Sequence, residues 1–180
     1  VGLSKTGTGT FTLSNSSAVT MTISGADPSV TGNLLFGDNL TFTGSFSSGT
    51  GTQTFGGVGT FAAFSGTITN TSGTININSA GRMSGETSHV AASGGNFIVR
   101  SDGNAFASVN LSGSGVFRIG DTGSYNGTTT IYRLEGTGGT LGANYGGNST
   151  NIMHQAIIIN QSADTSFLGE LNGRSTSTGG

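Results

Sequence analysis

Short segments in which apolar and polar residues alternate recur along the chain. In residues 19–23, Val19, Met21 and Ile23 fall on one face and two threonines fall on the other. Gly, Asn, Asp and Ser separate the segments, and this period-two pattern with turn residues at its ends predicts β-strands. Gly is too frequent for helices, and an apolar period of 3.6 residues is absent. Further segments of this kind are TGTFTLSN, NLTFTGSF, GTITN, GTININS, NFIVRS, FASVNLSG, GVFRIGD, TTTIYRLEG and HQAIIINQS.

A longer repeat organises these strands. Six segments open with Gly and then pass through apolar positions, a Gly, Asn or Asp turn and a second short strand. Their starts lie about 20 to 24 residues apart, which is typical of solenoids, whose coils stack on one another. We therefore predict an all-β chain that forms one parallel β-helix (β-solenoid) over residues 1–180, with coils of about 20 residues. An antiparallel β-sandwich or jelly roll shows the same alternation and stays open as the alternative. The predicted starts are Gly32, Gly51, Gly73, Gly95, Gly115 and Gly139.

Composition decides between a folded chain and a disordered one. The 34 Gly and the 8% of charged residues are unusual, but hydrophobic residues reach 32%, 11 residues are Phe, and the net charge is only −2. Disorder goes with few apolar residues and high net charge, so a folded protein is favoured. The chain has no Cys and therefore no disulfide or thiol chemistry. Its pI of about 5.5 and scattered basic residues give no basis for nucleic-acid binding, and no apolar run is long enough for a transmembrane helix.

Three aspartates occupy similar places after predicted strands, beside Gly or Asn: Asp38, Asp102 and Asp121. Stacked along one edge, they would give the acidic cleft of a β-helical carbohydrate-active enzyme. Asp also satisfies backbone donors in turns, and we favour this second interpretation. His89 and His154 lie far apart in the chain, so a metal or acid–base role is not expected. We predict no catalytic residue, metal or cofactor, and we expect that the chain is not an enzyme.

Four arginines recur at intervals close to one coil. A stripe of ion pairs with Asp102, Asp121 and Glu135 is favoured over a ligand-binding strip. The arginines are Arg82, Arg100, Arg118 and Arg133.

The first residues of the chain carry a spaced motif. Its matching positions are Leu3, Lys5, Gly7, Gly9, Thr10, Phe11, Leu13, Ser14 and Asn15. On these residues the segment resembles the autotransporter-associated β-strand repeat, also called the passenger-associated transport repeat. That family reads Leu-x-Lys-x-Gly-x-Gly-Thr-Leu-x-Leu-Ser-Gly/Asn, and Phe11 replaces its usual Leu. The resemblance implies a β-helical bacterial protein that is secreted or attached to the cell surface.

A second part of this repeat lies at the other end of the chain. In the family, the Leu-x-Lys motif usually follows a segment such as Ala-Asp-Thr-Thr-Phe-x-Gly-x-Leu/Ile-x-Gly, and residues 163–173 read ADTSFLGELNG. Joining the last residues to the first restores the family order, so we expect a head-to-tail junction between successive units. A member of a tandem array and a subunit that polymerises both stay open. The predicted assembly interface is Leu3, Lys5, Phe11, Leu13, Phe167, Leu168 and Leu171.

The leading hypothesis from the sequence is a structural subunit or tandem unit of an extracellular or cell-surface bacterial fibre, whose partner is a further copy of itself. The alternative is an autotransporter-like adhesin or a module that binds surface glycans. Such a module would present an exposed aromatic platform from Tyr125, Tyr132 or Tyr145.

Overall fold

The computed structural model of the chain describes residues 10–13, 19–23, 33–36, 40–48, 50–56, 64–120, 127–143, 155–161 and 163–173. The regular structure of these residues consists of β-strands, and no helix occurs among them. In chain order the strands are β1 (Thr10–Leu13), β2 (Val19–Ile23), β3 (Asn33–Phe36), β4 (Leu40–Ser48), β5 (Thr52–Phe55), β6 (Phe64–Asn70), β7 (Thr74–Ile77), β8 (Met83–Ala92), β9 (Asn96–Val99), β10 (Asn104–Phe106), β11 (Ser108–Leu111), β12 (Val116–Ile119), β13 (Gly127–Ile131), β14 (Leu134–Gly136), β15 (Thr140–Ala143), β16 (Gln155–Ile159) and β17 (Glu170–Gly173).

These strands form three parallel sheets, with the orders β1-β3-β5-β7-β9-β12-β15-β17, β14-β11-β8-β6-β4-β2 and β10-β13-β16. Each strand pairs with its counterpart one coil away. Thr74 in β7 pairs with Asn96 in β9, 22 residues later, whereas the widest step joins Thr140 in β15 to Glu170 in β17. Stacked coils with parallel pairing define a parallel β-solenoid, which confirms the predicted fold. The antiparallel sandwich alternative is wrong, because the described strands pair in parallel.

Glycine marks the corner at which each coil enters the eight-stranded sheet. Each of the six predicted repeat starts directly precedes a strand of this sheet. At Gly95, φ is +68°, and a Cβ would lie 2.5 Å from the carbonyl oxygen of Gly73 in the preceding coil. That oxygen accepts a hydrogen bond from the backbone N–H of Asn96 at 2.9 Å. Because the backbone of the preceding coil fills the space of a side chain, this corner requires Gly.

The core is a stack of apolar side chains inside the coils. The second residues of successive strands in the eight-stranded sheet align in register, which places Ile75 beside Phe97 and Phe97 beside Phe117. The rings of Phe97 and Phe117 lie 5.3 Å apart and nearly parallel, with an interplanar angle of 6°. Phe106 from the three-stranded sheet meets both rings edge-on, at 5.8 and 5.2 Å. This cluster joins two sheets through a fully buried aromatic contact.

A buried amide joins two coils near the start of the three-stranded sheet. Asn104 is 1% exposed, and its Nδ2 donates to the carbonyl oxygens of Ser79 and Ser101 at 3.2 and 2.9 Å. Its Oδ1 accepts a hydrogen bond from the backbone N–H of Met83 at 3.0 Å. Ser79 and Met83 belong to the preceding coil, so this one side chain satisfies backbone groups that a corner would otherwise leave buried without partners.

Candidate functional site

The last described coil presents an apolar surface beyond β15. The inward position of the second residue runs through Ile75, Phe97, Phe117, Leu141 and Leu171. The first four of these side chains are buried; the most exposed of them, Leu141, is only 4% exposed. Leu171, in contrast, is 67% exposed. These five side chains are all apolar, so the difference arises because no described coil lies over Leu171.

We call this surface the C-terminal end face and define it by Leu141, Ile157, Ile159 and Leu171. Ile159 occupies an inward position, in register with the buried Ile131, yet it is 44% exposed. A recess of about 230 Å³ lies between the ends of the sheets, lined by these four side chains together with Gly142, Ala143 and Asn172. Exposed apolar side chains around such a recess are typical of a surface that another chain segment covers.

Backbone groups at this end are also open to further pairing. β17 is the last strand of the eight-stranded sheet, and β16 is the last strand of the three-stranded sheet. On their far sides, neither strand pairs with another strand of the described residues. An unpaired strand edge presents N–H and C=O groups that can accept an additional strand. The end face therefore combines an apolar recess with two strand edges that no other described strand covers.

The structure places the predicted interface residues at opposite ends of the solenoid. Leu13 lies in β1, at the first position of the eight-stranded sheet, and its half-buried side chain packs against the core, as does that of Phe167. Phe11 also lies in β1, opposite Leu34. Leu168 is 74% exposed, like Leu171. Leu3 and Lys5 lie outside the described residues.

Sequence reasoning missed Ile157 and Ile159 as members of the end face. The segment HQAIIINQS is correctly predicted as a strand, but its position in the stack depends on the number of coils that follow it. The only available signal is the rare run of three isoleucines at positions 157–159, which has apolar residues at an outward position as well as at inward ones.

A second feature is a polar groove of about 580 Å³ on the outside of the six-stranded sheet. Glu135 lines the groove, and both of its carboxylate oxygens accept hydrogen bonds. Arg133 Nη2 donates to Oε2 at 2.7 Å, and Asn110 Nδ2 donates to Oε1 at 3.3 Å. The first contact is an ion pair between one of the four arginines and one of the acidic residues considered as their partners. The polar side chains that line the groove are Asn110, Arg133, Glu135, Thr137, Asp164, Thr165 and Ser166.

Of the three aspartates predicted to lie in turns, the structure describes Asp102, whose side chain accepts hydrogen bonds from the backbone. Asp102 is exposed, and its Oδ1 accepts hydrogen bonds from the backbone N–H groups of Thr128 at 2.7 Å and Gly103 at 2.8 Å. These bonds, that of Thr128 first, lower the pKa of Asp102 below its ordinary value. This geometry agrees with the turn interpretation. Asp38 and Asp121 lie outside the described residues.

The four arginines lie in different places and form no common stripe. Arg82 is buried directly before β8, Arg100 directly follows β9, Arg118 lies within β12, and Arg133 lies between β13 and β14. The predicted stripe is wrong because their spacing of 15 to 18 residues is shorter than most coil steps.

The other candidate residues from the sequence are two histidines and three tyrosines. His89 Nδ1 lies 2.8 Å from Ser108 Oγ on the outside of the six-stranded sheet. Tyr132 is 40% exposed, and its ring covers Gly85, where it occupies the space of a side chain. His154, Tyr125 and Tyr145 lie outside the described residues.

Among the described residues, no group of three or more His, Cys, Asp or Glu side chains is placed to hold a metal ion. The same part of the chain contains no helix with the length and apolar character needed to cross a membrane. Fold and surface together define the class of the protein as a parallel β-solenoid with an apolar end face. Comparisons of the chain with protein-family models, curated proteins and solved structures found no match.

Proposed function

We propose that the chain is a structural unit that stacks head to tail on a second copy of itself, as part of an extracellular or cell-surface fibre. The observation that carries this proposal is the 67% exposure of Leu171, at a position whose equivalents in the preceding coils from Gln53 to Leu141 are buried. Covering one such side chain contributes about 1.5–3 kcal/mol, which rewards the addition of a further coil.

The register of the strands favours the first coil of the next copy as the segment that covers the C-terminal end face. β1 and β17 are the two outermost strands of the same eight-stranded sheet. Following the register from strand to strand, Phe11 and Leu171 occupy equivalent positions, both apolar. β1 of a second copy, placed in parallel beside β17, would set Phe11 opposite Leu171 and continue the apolar column. Strand addition of this kind uses backbone hydrogen bonds for affinity and side chains for register.

The contact joins two different surfaces, so it does not close on itself and leads to a filament rather than a dimer. The resemblance of residues 3–15 and 163–173 to two adjoining parts of the autotransporter-associated repeat supports the same order of units. It also supports a bacterial protein located outside the cell. A structural rather than catalytic role is part of the proposal.

Sedimentation velocity and negative-stain microscopy of the purified chain, over a wide concentration range, test this proposal. We expect larger linear species as concentration rises, and we expect Leu171→Asp to abolish them. Thr69→Asp, on the outside of the six-stranded sheet and away from both ends, is the matched control and should assemble normally. Compact monomers at every concentration, or equal effects of the two substitutions, would contradict the proposal.

A further inference from the structure

The polar groove is built from three successive coils. Asn110 in β11 pairs in register with Glu135 in β14. The backbone N–H of Gly136 donates to the carbonyl oxygen of Ser166 at 3.0 Å, so the chain around Ser166 continues the stack beyond β14. Side chains at matching positions of stacked parallel strands lie about 4.8 Å apart, which brings residues far apart in sequence into one small site.

One carboxylate that lines the groove already has a fixed orientation. Arg133 and Asn110 each hold one oxygen of Glu135, and the Glu135 side chain is only 25% exposed. A carboxylate offers about four lone-pair sites, so both oxygens can still accept hydrogen bonds from a ligand. Because the side chain is already ordered, little conformational freedom is lost on binding.

The groove holds a second carboxylate. Asp164 lines it, is exposed, and makes no hydrogen bond or ion pair with another described residue. Thr165 and Ser166 lie next to it in the chain and line the same groove. The Thr165 hydroxyl already donates to the carbonyl oxygen of Leu134, so it offers only acceptor capacity. The site thus offers acceptors from two carboxylates and donors from a guanidinium, an amide and the Ser166 hydroxyl.

We propose that this groove binds a neutral saccharide through neighbouring hydroxyl groups. Each sugar hydroxyl is both a donor and an acceptor, which matches the mixed set presented by Asn110, Arg133, Glu135 and Asp164. The volume of about 580 Å³ falls within the range of roughly 300–1,000 Å³ that is usual for small-molecule sites. This site is independent of the end face, because its residues are not among those that define that surface.

The same groups disfavour ionic ligands. An anion would approach two carboxylates and only one guanidinium. A calcium ion takes about six to eight oxygen ligands and would meet the positive charge of Arg133, whose Nη2 lies 2.7 Å from Glu135 Oε2. A neutral ligand with hydroxyl groups carries no charge that the carboxylates or Arg133 would repel, and it does not need about six to eight oxygen ligands.

NMR titration of the ¹⁵N-labelled chain tests the proposal. The probes are methyl α-mannoside, methyl β-galactoside, N-acetylglucosamine and maltose, with calcium chloride and sodium sulfate as ionic probes. We expect at least one saccharide to shift the amide signals of Asn110, Glu135 and Ser166. Glu135→Gln should weaken that binding about tenfold, since a hydrogen bond to a charged group is lost. Glu86→Gln, an exposed glutamate elsewhere on the solenoid, is the matched control and should bind as the unchanged chain does.

The amide signals outside the groove report whether each variant is folded, and Asp164→Asn serves as a second variant if Glu135→Gln is not. The absence of a shift with all four saccharides overturns the proposal. Saccharide shifts that both variants leave unchanged also overturn it. Shifts of the groove amides by calcium or sulfate, without saccharide binding, assign the groove to an ion instead.

Discussion

Two glycines with similar backbone angles allow the stacking of the coils to be tested directly. Gly95 has φ of +68° and Gly81 has φ of +63°. At Gly95 a Cβ would lie 2.5 Å from the carbonyl oxygen of Gly73 and 2.7 Å from the carbonyl carbon of Ser72, whereas at Gly81 no atom lies within 4 Å. Substitution by Ala therefore adds the same backbone strain at both sites, but it adds a clash with the preceding coil only at Gly95.

The expected losses of stability differ by an amount that is easy to measure. A left-handed conformation costs an alanine roughly 1–2 kcal/mol, and the smaller entropy of the unfolded chain offsets part of this, so Gly81→Ala should lose about 1 kcal/mol. Gly95→Ala should lose about 3 kcal/mol, because forcing the two coils apart adds about 1–3 kcal/mol and weakens the hydrogen bond of Asn96. Urea denaturation followed by circular dichroism gives both values. Equal losses would refute the close stacking at this corner.

Two further predictions concern single polar side chains. Asn104→Ala should lower the free energy of unfolding by about 2–4 kcal/mol in urea denaturation, because the buried N–H of Met83 loses its acceptor. The control is Asn172→Ala, at an exposed asparagine, which should change that free energy by less than about 0.5 kcal/mol. Similar losses for the two variants would contradict the role of the Asn104 amide. The pKa of Asp102 is lowered in the folded chain, mainly by the hydrogen bond from the N–H of Thr128. The ionised carboxylate therefore stabilises the fold above the ordinary pKa of aspartate, and this stabilisation is lost as the pH falls through the lowered pKa of the folded chain. Melting temperatures recorded between about pH 2 and pH 5 should therefore fall less steeply for Asp102→Asn than for the unchanged chain, and identical slopes would argue against the bond.

The sequence predicts the fold well because the same physical demand recurs in every coil. A corner that packs against the backbone of its neighbour excludes side chains, so Gly directly precedes strands of the eight-stranded sheet, as at Gly95, Gly115 and Gly139. Alternation within the strands follows from the inward and outward directions of successive side chains. Both signals are local, and their period favours a solenoid over a sandwich, which the parallel pairing of the described strands then excludes.

The candidate sites were harder to predict because they depend on contacts between coils. Asn110 and Glu135 are 25 residues apart, and only the exact register of β11 and β14 brings them together. A regular spacing of arginines was misleading, because coils differ in length and Arg118 and Arg133 lie in different parts of the coil. The exposure of Leu171 likewise depends on its place at the end of the stack and not on its own neighbours in sequence.

The central claim is that the C-terminal end face is a stacking surface for a second copy. If the proposed stacking holds, two copies fused directly end to end contain one buried junction and one free end, so the same substitution can be tested in both settings. Leu171→Asp in the first copy should cost at least about 3 kcal/mol of unfolding free energy, because it removes apolar burial and places a carboxylate in the junction. In the second copy the same change should cost less than about 1 kcal/mol, since that Leu171 stays exposed. A strong asymmetry between the two fusions is the predicted result, and equal losses would contradict head-to-tail stacking.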